Sequence, residues 1–222
     1  MSVRFSGAGQ NYTATNGLPG STYTVLAWAY LVADRNTTST LWVHDASGSD
    51  GHNVRTQADG VTLEVNSSGA TITPGAFTVG AWHRVAFAAN GTSGTLYIGA
   101  ATGSLTPASG AIPSLTMSAV SIGSFSTGSG SWLNGQLANL KAYSATLTQA
   151  EIETELRFWF PVRTANLLRY HPFHGAETTD RSGNGNTLSG GTGATAADDP
   201  PAPPCSPLAQ MCSTARRRAA NW

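Results

Sequence analysis

Charge is scarce in this chain of 222 residues. Asp, Glu, Lys and Arg make up 11% of it, and twelve basic side chains cancel twelve acidic ones. Neither a nucleic acid nor an anionic membrane surface is recruited by such a balance. Lysine is almost missing, Lys141 being the only one. The two cysteines, Cys205 and Cys212, both lie near the C-terminus, so the body of the chain is expected to fold without disulfides; a bond between the two is open. No apolar run approaches the roughly 20 residues that cross a bilayer. Met1 to Phe5 opens without the charged leader or apolar segment of a secretory signal, so folding in a cytoplasm is expected. Apolar residues nonetheless reach 40%, enough in a chain of this length for one full core.

Alternation, the period of an extended chain, runs through what is present. Val85 and Phe87 fall on one face of a segment that begins near Trp82, and Leu96 and Ile98 on one face of a second. Between them Ala89-Asn90-Gly91-Thr92-Ser93-Gly94 supplies two glycines for a tight reversal, so a hairpin is predicted, with Trp82 and Tyr97 as its large side chains. Upstream, Leu26, Trp28 and Tyr30 alternate with Val25, Ala27 and Ala29, which predicts a strand covered on both faces. Val3 to Thr13 reads as a first strand and turn. Leu41 to His44 and Val61 to Val65 read as shorter strands, the second with Thr62 and Glu64 facing out. Residues 45–53 between them are polar enough to predict a loop, and the Gly/Ser/Thr/Pro-rich stretch after the hairpin predicts a connection. Ala119 to Gly123 and Leu133 to Tyr143 predict two further strands. Thr148 and Glu151 then form a capping box and Leu147 and Ile152 a hydrophobic staple, while Ile152, Leu156 and Trp159 make one stripe of a short helix over residues 148–159 that Pro161 ends.

The string from Gly80 to Phe87, GAWHRVAF, followed by NGTSGTLYIG from Asn90 to Gly99, resembles the central signature of laminin-G-like, concanavalin A-type jelly-roll domains. Three other stretches resemble the family in the same order: the aromatic strand around Trp28, the strand LNGQLANLKAY at 133–143, and the helix start LTQAEI at 147–152. Residues 167–188 resemble the strand and turn with which many members begin. Here they follow the helix, either as a late strand completing the sandwich or as the start of a lost repeat; the first is favoured because Leu168, Tyr170 and Phe173 would otherwise lie exposed. The resemblance implies an all-β fold, a two-sheet antiparallel jelly-roll sandwich with one short helix, spanning residues 1–190 and followed by an extended Pro-rich tail, 191–222. Where the family pattern carries acidic pairs, this chain has Gln10-Asn11 and Ala138-Asn139, which removes the carboxylates of a carried-over metal role.

The candidates for chemistry are few. Glu151, Glu153 and Glu155 are spaced like the paired carboxylates of glucanases of this fold class, but those acids stand on a strand, and on a helix residues two apart diverge by about 200°. His83 is expected to pack in the hairpin, and His171 and His174 lack a third partner at metal spacing. No nucleophile elbow or phosphate-binding glycine loop occurs. Asp180 to Asn186 holds a single carboxylate, which predicts an Asx-type turn rather than a calcium loop. No cofactor, metal or catalytic residue is therefore expected, and the chain is not read as an enzyme.

Binding is the reading that is left. Jelly-roll lectins stack an aromatic ring on a sugar and use Asn or Asp for the hydroxyls. Asp50, His52 and Asn53 are the candidate polar groups and Trp132 the candidate ring; the competing reading is a solvated loop and a tryptophan packed on the sandwich edge. The Pro-rich tail, with Asp199, Pro200, Pro201 and the basic run Arg216, Arg217 and Arg218, is the candidate docking arm, or else a frayed end. A segment like 180–186 with an Asp-Pro-Pro tail is similar to virion proteins of tailed phages, which are folded in the host and released by lysis. The resemblance thus implies a virion surface protein of minor tail or capsid-decoration type, oligomeric in the particle, with other virion structural proteins and possible cell-surface glycans as partners and no nucleic acid or membrane. A bacterial extracellular carbohydrate-binding module is the alternative, and a glycoside hydrolase a third.

Overall fold

The computed structural model describes residues 2–201 apart from 7–9, 15–19, 33–36, 46–50, 116–118, 126–130, 174–176, 192–193 and 199. In chain order the strands are β1 (Ser2–Ser6), β2 (Tyr12–Ala14), β3 (Thr22–Leu31), β4 (Thr40–Asp45), β5 (Gly51–Thr56), β6 (Thr62–Ser67), β7 (Ala70–Ala76), β8 (Trp82–Asn90), β9 (Ser93–Ala100), β10 (Thr106–Ala111), β11 (Ala119–Ile122) and β12 (Asn134–Tyr143). Helix α1 (Gln149–Leu156) follows, then β13 (Leu167–His171), β14 (Ser189–Gly190) and β15 (Thr195–Ala197). They form two antiparallel sheets. One has eight strands in the order β10-β9-β8-β3-β12-β1-β15, with β13 also on β12; the other has seven, β14-β2-β11-β4-β5-β6-β7.

Alternation explains how the sheets meet. Val25, Ala27 and Ala29 of β3, Val85 and Phe87 of β8, and Leu96 and Ile98 of β9 point inward against Trp42, Val54, Val65, Val120 and Ile122 of the other sheet. The β8–β9 hairpin closes through Gly91 and Thr92, and Gly91 takes a φ of +64° at the first loop position, as a two-residue reversal requires. Gly94 lies so close to the core that an added Cβ would stand 2.8 Å from the Phe87 ring, so any larger residue would push that ring aside.

The other face of the eight-stranded sheet carries a second apolar cluster, in which Ile152 and Leu156 of α1 cover Leu26, Trp28, Ala86 and Tyr143. The helix starts as its capping box predicts, with Thr148 Oγ1 accepting from Glu151 N and the Glu151 carboxylate accepting from Thr148 N. It ends at Leu156 rather than Trp159, because the carbonyls beyond it turn aside to a buried cation described below.

Several expectations are corrected. β5 occupies part of the stretch read as a loop, since Val54 and Thr56 alternate inward with His52, and the sequence masks this by pairing the apolar residue with polar ones that are also buried. β10 occupies the stretch read as a connection, and β7 lies where the sequence reading placed no element; both are edge strands without the apolar alternation of the central strands. Glu64 does face outward but is buried, because the Arg55 guanidinium lies across it at 2.8 Å. The sandwich also runs past residue 190: β15 pairs with β1, placing Thr195 to Ala197 beside Arg4 to Ser2.

β13 adds to β12 and is fixed from behind by the turn 180–186. The Asp180 carboxylate accepts from the backbone N–H groups of Tyr170, Ser182 and Asn186, and Asn184 and Asn186 donate to the Leu168 carbonyl. Burial pushes the Asp180 pKa up, but these hydrogen bonds outweigh it and hold the carboxyl below its ordinary range. The turn is an Asx-type clamp on the sheet.

Candidate functional site

A line of side chains crosses the outer face of the eight-stranded sheet where the cover of α1 stops. Phe5, Ala29, Leu31, Val85 and Leu137 point into the interior, so their neighbours Arg4, Tyr30, Gln136 and Trp82 point out. The registers place them in one row: Arg4 opposite Gln136, Gln136 opposite Tyr30, and Tyr30 opposite Trp82. Three strand spacings separate the backbones of Arg4 and Trp82 by ~14 Å.

Tyr30 and Trp82 are half-buried, their ring centroids 5.4 Å apart with the planes tilted by 53°. Val79, 38% exposed, stands in the turn entering Trp82, and Gly80 N donates to the Leu31 carbonyl, holding that turn beside Tyr30. The Gln136 side-chain amide lies 3.0 Å from Ser2 Oγ, whose hydroxyl donates to the Asp198 carbonyl at 2.7 Å. Arg4 is exposed and makes no ion pair among them. Such a row offers flat apolar faces and then polar donors, the combination that grips a sugar ring by its C–H face and its hydroxyls.

One bank of the row is the end of α1. The Trp28 indole N–H donates to the Leu156 carbonyl at 3.0 Å, which seats the helix end over the neighbouring row, where Trp28 lies opposite Arg84 and Ala138. Phe158 and Phe160 follow, 37% and 61% exposed, with ring centroids 5.7 Å apart. Lys141 fastens this segment. Its ammonium donates to Glu155 Oε2 and to the carbonyls of Glu155, Phe158 and Phe160 at 2.5–3.1 Å. The Glu155 carboxylate in turn accepts from Val162 N and Arg163 N. Burial lowers the Lys141 pKa to about 8, with Glu155 opposing the shift.

Two carboxylates share one cavity. Glu151 and Glu155, one helical turn apart, line a cavity of about 320 Å³ with Ala150, Thr154, Val162 and Arg163. Each is already engaged: Glu151 caps the helix and pairs with Arg163 at 2.6 Å, and Glu155 is buried on Lys141. Glu153 accepts from Leu105 N and from Gln149. Hydrogen bonds from Thr148 lower the Glu151 pKa, and those from Gln149 and Leu105 lower that of Glu153. A general acid for glycoside cleavage needs the opposite shift. Among the described residues no group of three metal-ligating side chains occurs, and no helix is long and apolar enough to cross a membrane.

Of the residues predicted from sequence, His52 and Asn53 point to opposite faces of their strand. His52 is buried between the sheets: its Nε2–H donates to the Pro113 carbonyl at 3.1 Å, which leaves Nδ1 to accept from the Tyr23 hydroxyl at 2.5 Å. Asn53, the next residue, faces the opposite way, onto the outer side of the seven-stranded sheet between Val43 and Asn66. Its side chain is buried with neither amide atom partnered among the described residues. Trp132 is half-buried just before β12. Asp50, Asp199, Arg216, Arg217 and Arg218 lie outside the described residues; Pro200 is buried and Pro201 exposed. The row of Arg4, Tyr30, Gln136 and Trp82 was missed. The alternation of β3 already turned Tyr30 outward with Trp28, but only strand pairing shows that α1 covers one and leaves the other.

This geometry defines a lectin-type β-sandwich. The chain belongs to the concanavalin A-like lectin/glucanases superfamily, whose profile matches residues 5–153. No curated protein matches it in sequence. Among solved structures it is similar to a Bacteroides ovatus protein assigned to carbohydrate binding, with a TM-score of 0.63 at 16% identity over 89% of this chain and 61% of that one. It is also similar to domain 4 of AbnA, an extracellular arabinanase of Geobacillus stearothermophilus in complex with arabinotriose, with a TM-score of 0.55 at 14% identity over 70% of this chain and 76% of that one. Tailspike protein 2 of the Escherichia coli O157:H7 bacteriophage CAB120 gives a TM-score of 0.56 at 14% identity over 74% of this chain and 25% of the tailspike. The chain thus spans 61% of the first of these proteins and a quarter of the last.

Proposed function

We propose that this chain is a non-enzymatic surface protein of a phage virion that holds glycans across the Trp82–Tyr30 row. The observation that carries glycan binding is the half-exposed aromatic pair in line with Gln136 and Arg4. The engagement of Glu151, Glu153 and Glu155 in helix capping, backbone hydrogen bonds and a buried ion pair supports binding without cleavage. The sandwich shared with a phage tailspike supports the virion setting, and residues 200–222 are assigned the docking arm that holds the protein, as an oligomer, on other virion proteins. A second reading, a carbohydrate-binding module of an extracellular enzyme, is favoured by the likeness to domain 4 of the arabinanase; phage or bacterial genes beside the coding sequence separate the two.

The test is a glycan array probed with the full chain. A bound oligosaccharide should lose about fivefold or more in affinity with Trp82→Ala, since stacking on an aromatic face contributes on the order of 1 kcal/mol or more, and should be recovered uncut after long incubation. Unchanged affinity in Trp82→Ala, or shortened sugars in the supernatant, would overturn the reading.

A further inference from the structure

The polar end of the aromatic row is led by a cation. The Arg4 guanidinium has five N–H groups and no acceptor, while the Gln136 amide beside it, 3.0 Å from Ser2 Oγ, can both donate and accept. Trp82 adds an indole N–H and no acceptor. The remaining polar atoms of the row are the hydroxyls of Tyr30 and of Thr195, opposite Arg4, which donate as readily as they accept. Among the described residues no carboxylate stands in the row. Asp198, just past β15, turns its carbonyl to Ser2 Oγ at 2.7 Å and makes no ion pair with Arg4.

A neutral sugar presents hydroxyls that donate as well as accept, and its recognition calls for carboxylate or carbonyl acceptors beside the aromatic faces. A row that ends in a guanidinium with no ion pair among the described residues calls instead for a ligand carrying acceptors and negative charge. Resting on the glycan-binding reading above, we infer that the row selects an acidic glycan, with a sugar ring against Tyr30 and Trp82 and a carboxylate or sulfate group on Arg4. The ~14 Å between the backbones of Arg4 and Trp82 accommodates a short oligosaccharide lying across the strands, so ring and acid belong to different residues of the same chain. The near-neutral charge of the whole protein is consistent with this, because selection comes from one uncompensated guanidinium at the site and not from a general positive field.

The experiment pairs, on one array, oligosaccharides bearing uronic acid, sialic acid or sulfate with their neutral parents: trigalacturonate with its methyl ester, sialyllactose with lactose, a sulfated disaccharide with its desulfated form. The full chain and its Arg4→Gln, Arg4→Lys and Trp82→Ala variants are compared. The acidic member of at least one pair should bind roughly tenfold more tightly than its parent, as a charge-assisted hydrogen bond allows. Arg4→Gln should bring it down to the level of the parent, Arg4→Lys should keep part of the preference, and added salt should weaken the acidic member alone. Arg4 is exposed, so its substitution leaves the fold intact, which the thermal midpoint verifies. Binding confined to neutral members, or a preference that survives Arg4→Gln, overturns the acidic assignment while leaving glycan binding standing if Trp82→Ala abolishes it. Binding to no member overturns both.

Discussion

Lys141→Ala should cost about 3–5 kcal/mol of folding stability, the usual consequence of removing one partner from a buried ion pair. The loss is large because the ammonium has four oxygen partners, and its removal leaves the Glu155 carboxyl without its ion-pair partner in a site that is 2% exposed. Replacing both partners, as in Lys141→Met with Glu155→Leu, should recover only part of the loss. The carboxylate also accepts from Val162 N and Arg163 N, and those donors would be stranded. Because residues 158–163 hang on this pair, Phe158 should become a site of rapid chymotrypsin cleavage in Lys141→Ala at temperatures where the sheets persist. Urea unfolding gives the free energy and limited proteolysis locates the damage. A cost below about 1 kcal/mol would mean that the pair behaves as a surface bridge and that the segment is held by something else.

Mild acid should destabilise the protein strongly. His44, His52 and His171 are buried in the sandwich. Burial, with His52 and Arg169 nearby, lowers the His44 pKa to about 3; burial, partly opposed by Asp180, lowers that of His171 to about 4. Burial lowers that of His52 as well, against the Pro113 carbonyl. In the unfolded chain each returns to about 6.5, so between that pH and the folded values the unfolded state binds protons that the native state refuses. Stability is therefore complete above about pH 6.5 and falls as the pH drops. Two groups held neutral two pH units below 6.5 give a loss of about 5 kcal/mol at pH 4.5, and His52 adds to it. The window lies above the ordinary carboxylate range, which separates this effect from carboxylate titration. Urea midpoints taken from pH 7 to 4.5 should fall steeply, and His44→Leu should flatten the slope. A flat profile would show that the histidines find charge partners in the fold.

How legible this was in the sequence depended on whether a residue's environment is local. The β8–β9 hairpin, the two-faced strand β3 and the capped helix were all readable, because alternation, a glycine turn and a capping box are set by neighbours in the chain. The bulge in β12 was not. The register shifts between Ala138 and Lys141, and Asn139 takes a φ of +54°, so Leu137 and Leu140 both face inward although they are three positions apart. That single extra residue turns the lone lysine out of the core and toward α1. β5 failed for the opposite reason, since a buried histidine and a buried asparagine read as solvent-facing until strand pairing shows them flanked on both sides. The candidate site is assembled from β1, β3, β8 and β12, whose residues lie up to 132 positions apart, Arg4 to Gln136. No spacing rule spans that distance.

A crystal structure of the full chain with the tightest oligosaccharide from the array would test the account most directly. Sugar density against Tyr30 and Trp82, running across the strands toward Arg4, is the expected result. Density seated instead between Glu151 and Glu155, or on Asn53 at the outer face of the opposite sheet with the aromatic row bare, would contradict it.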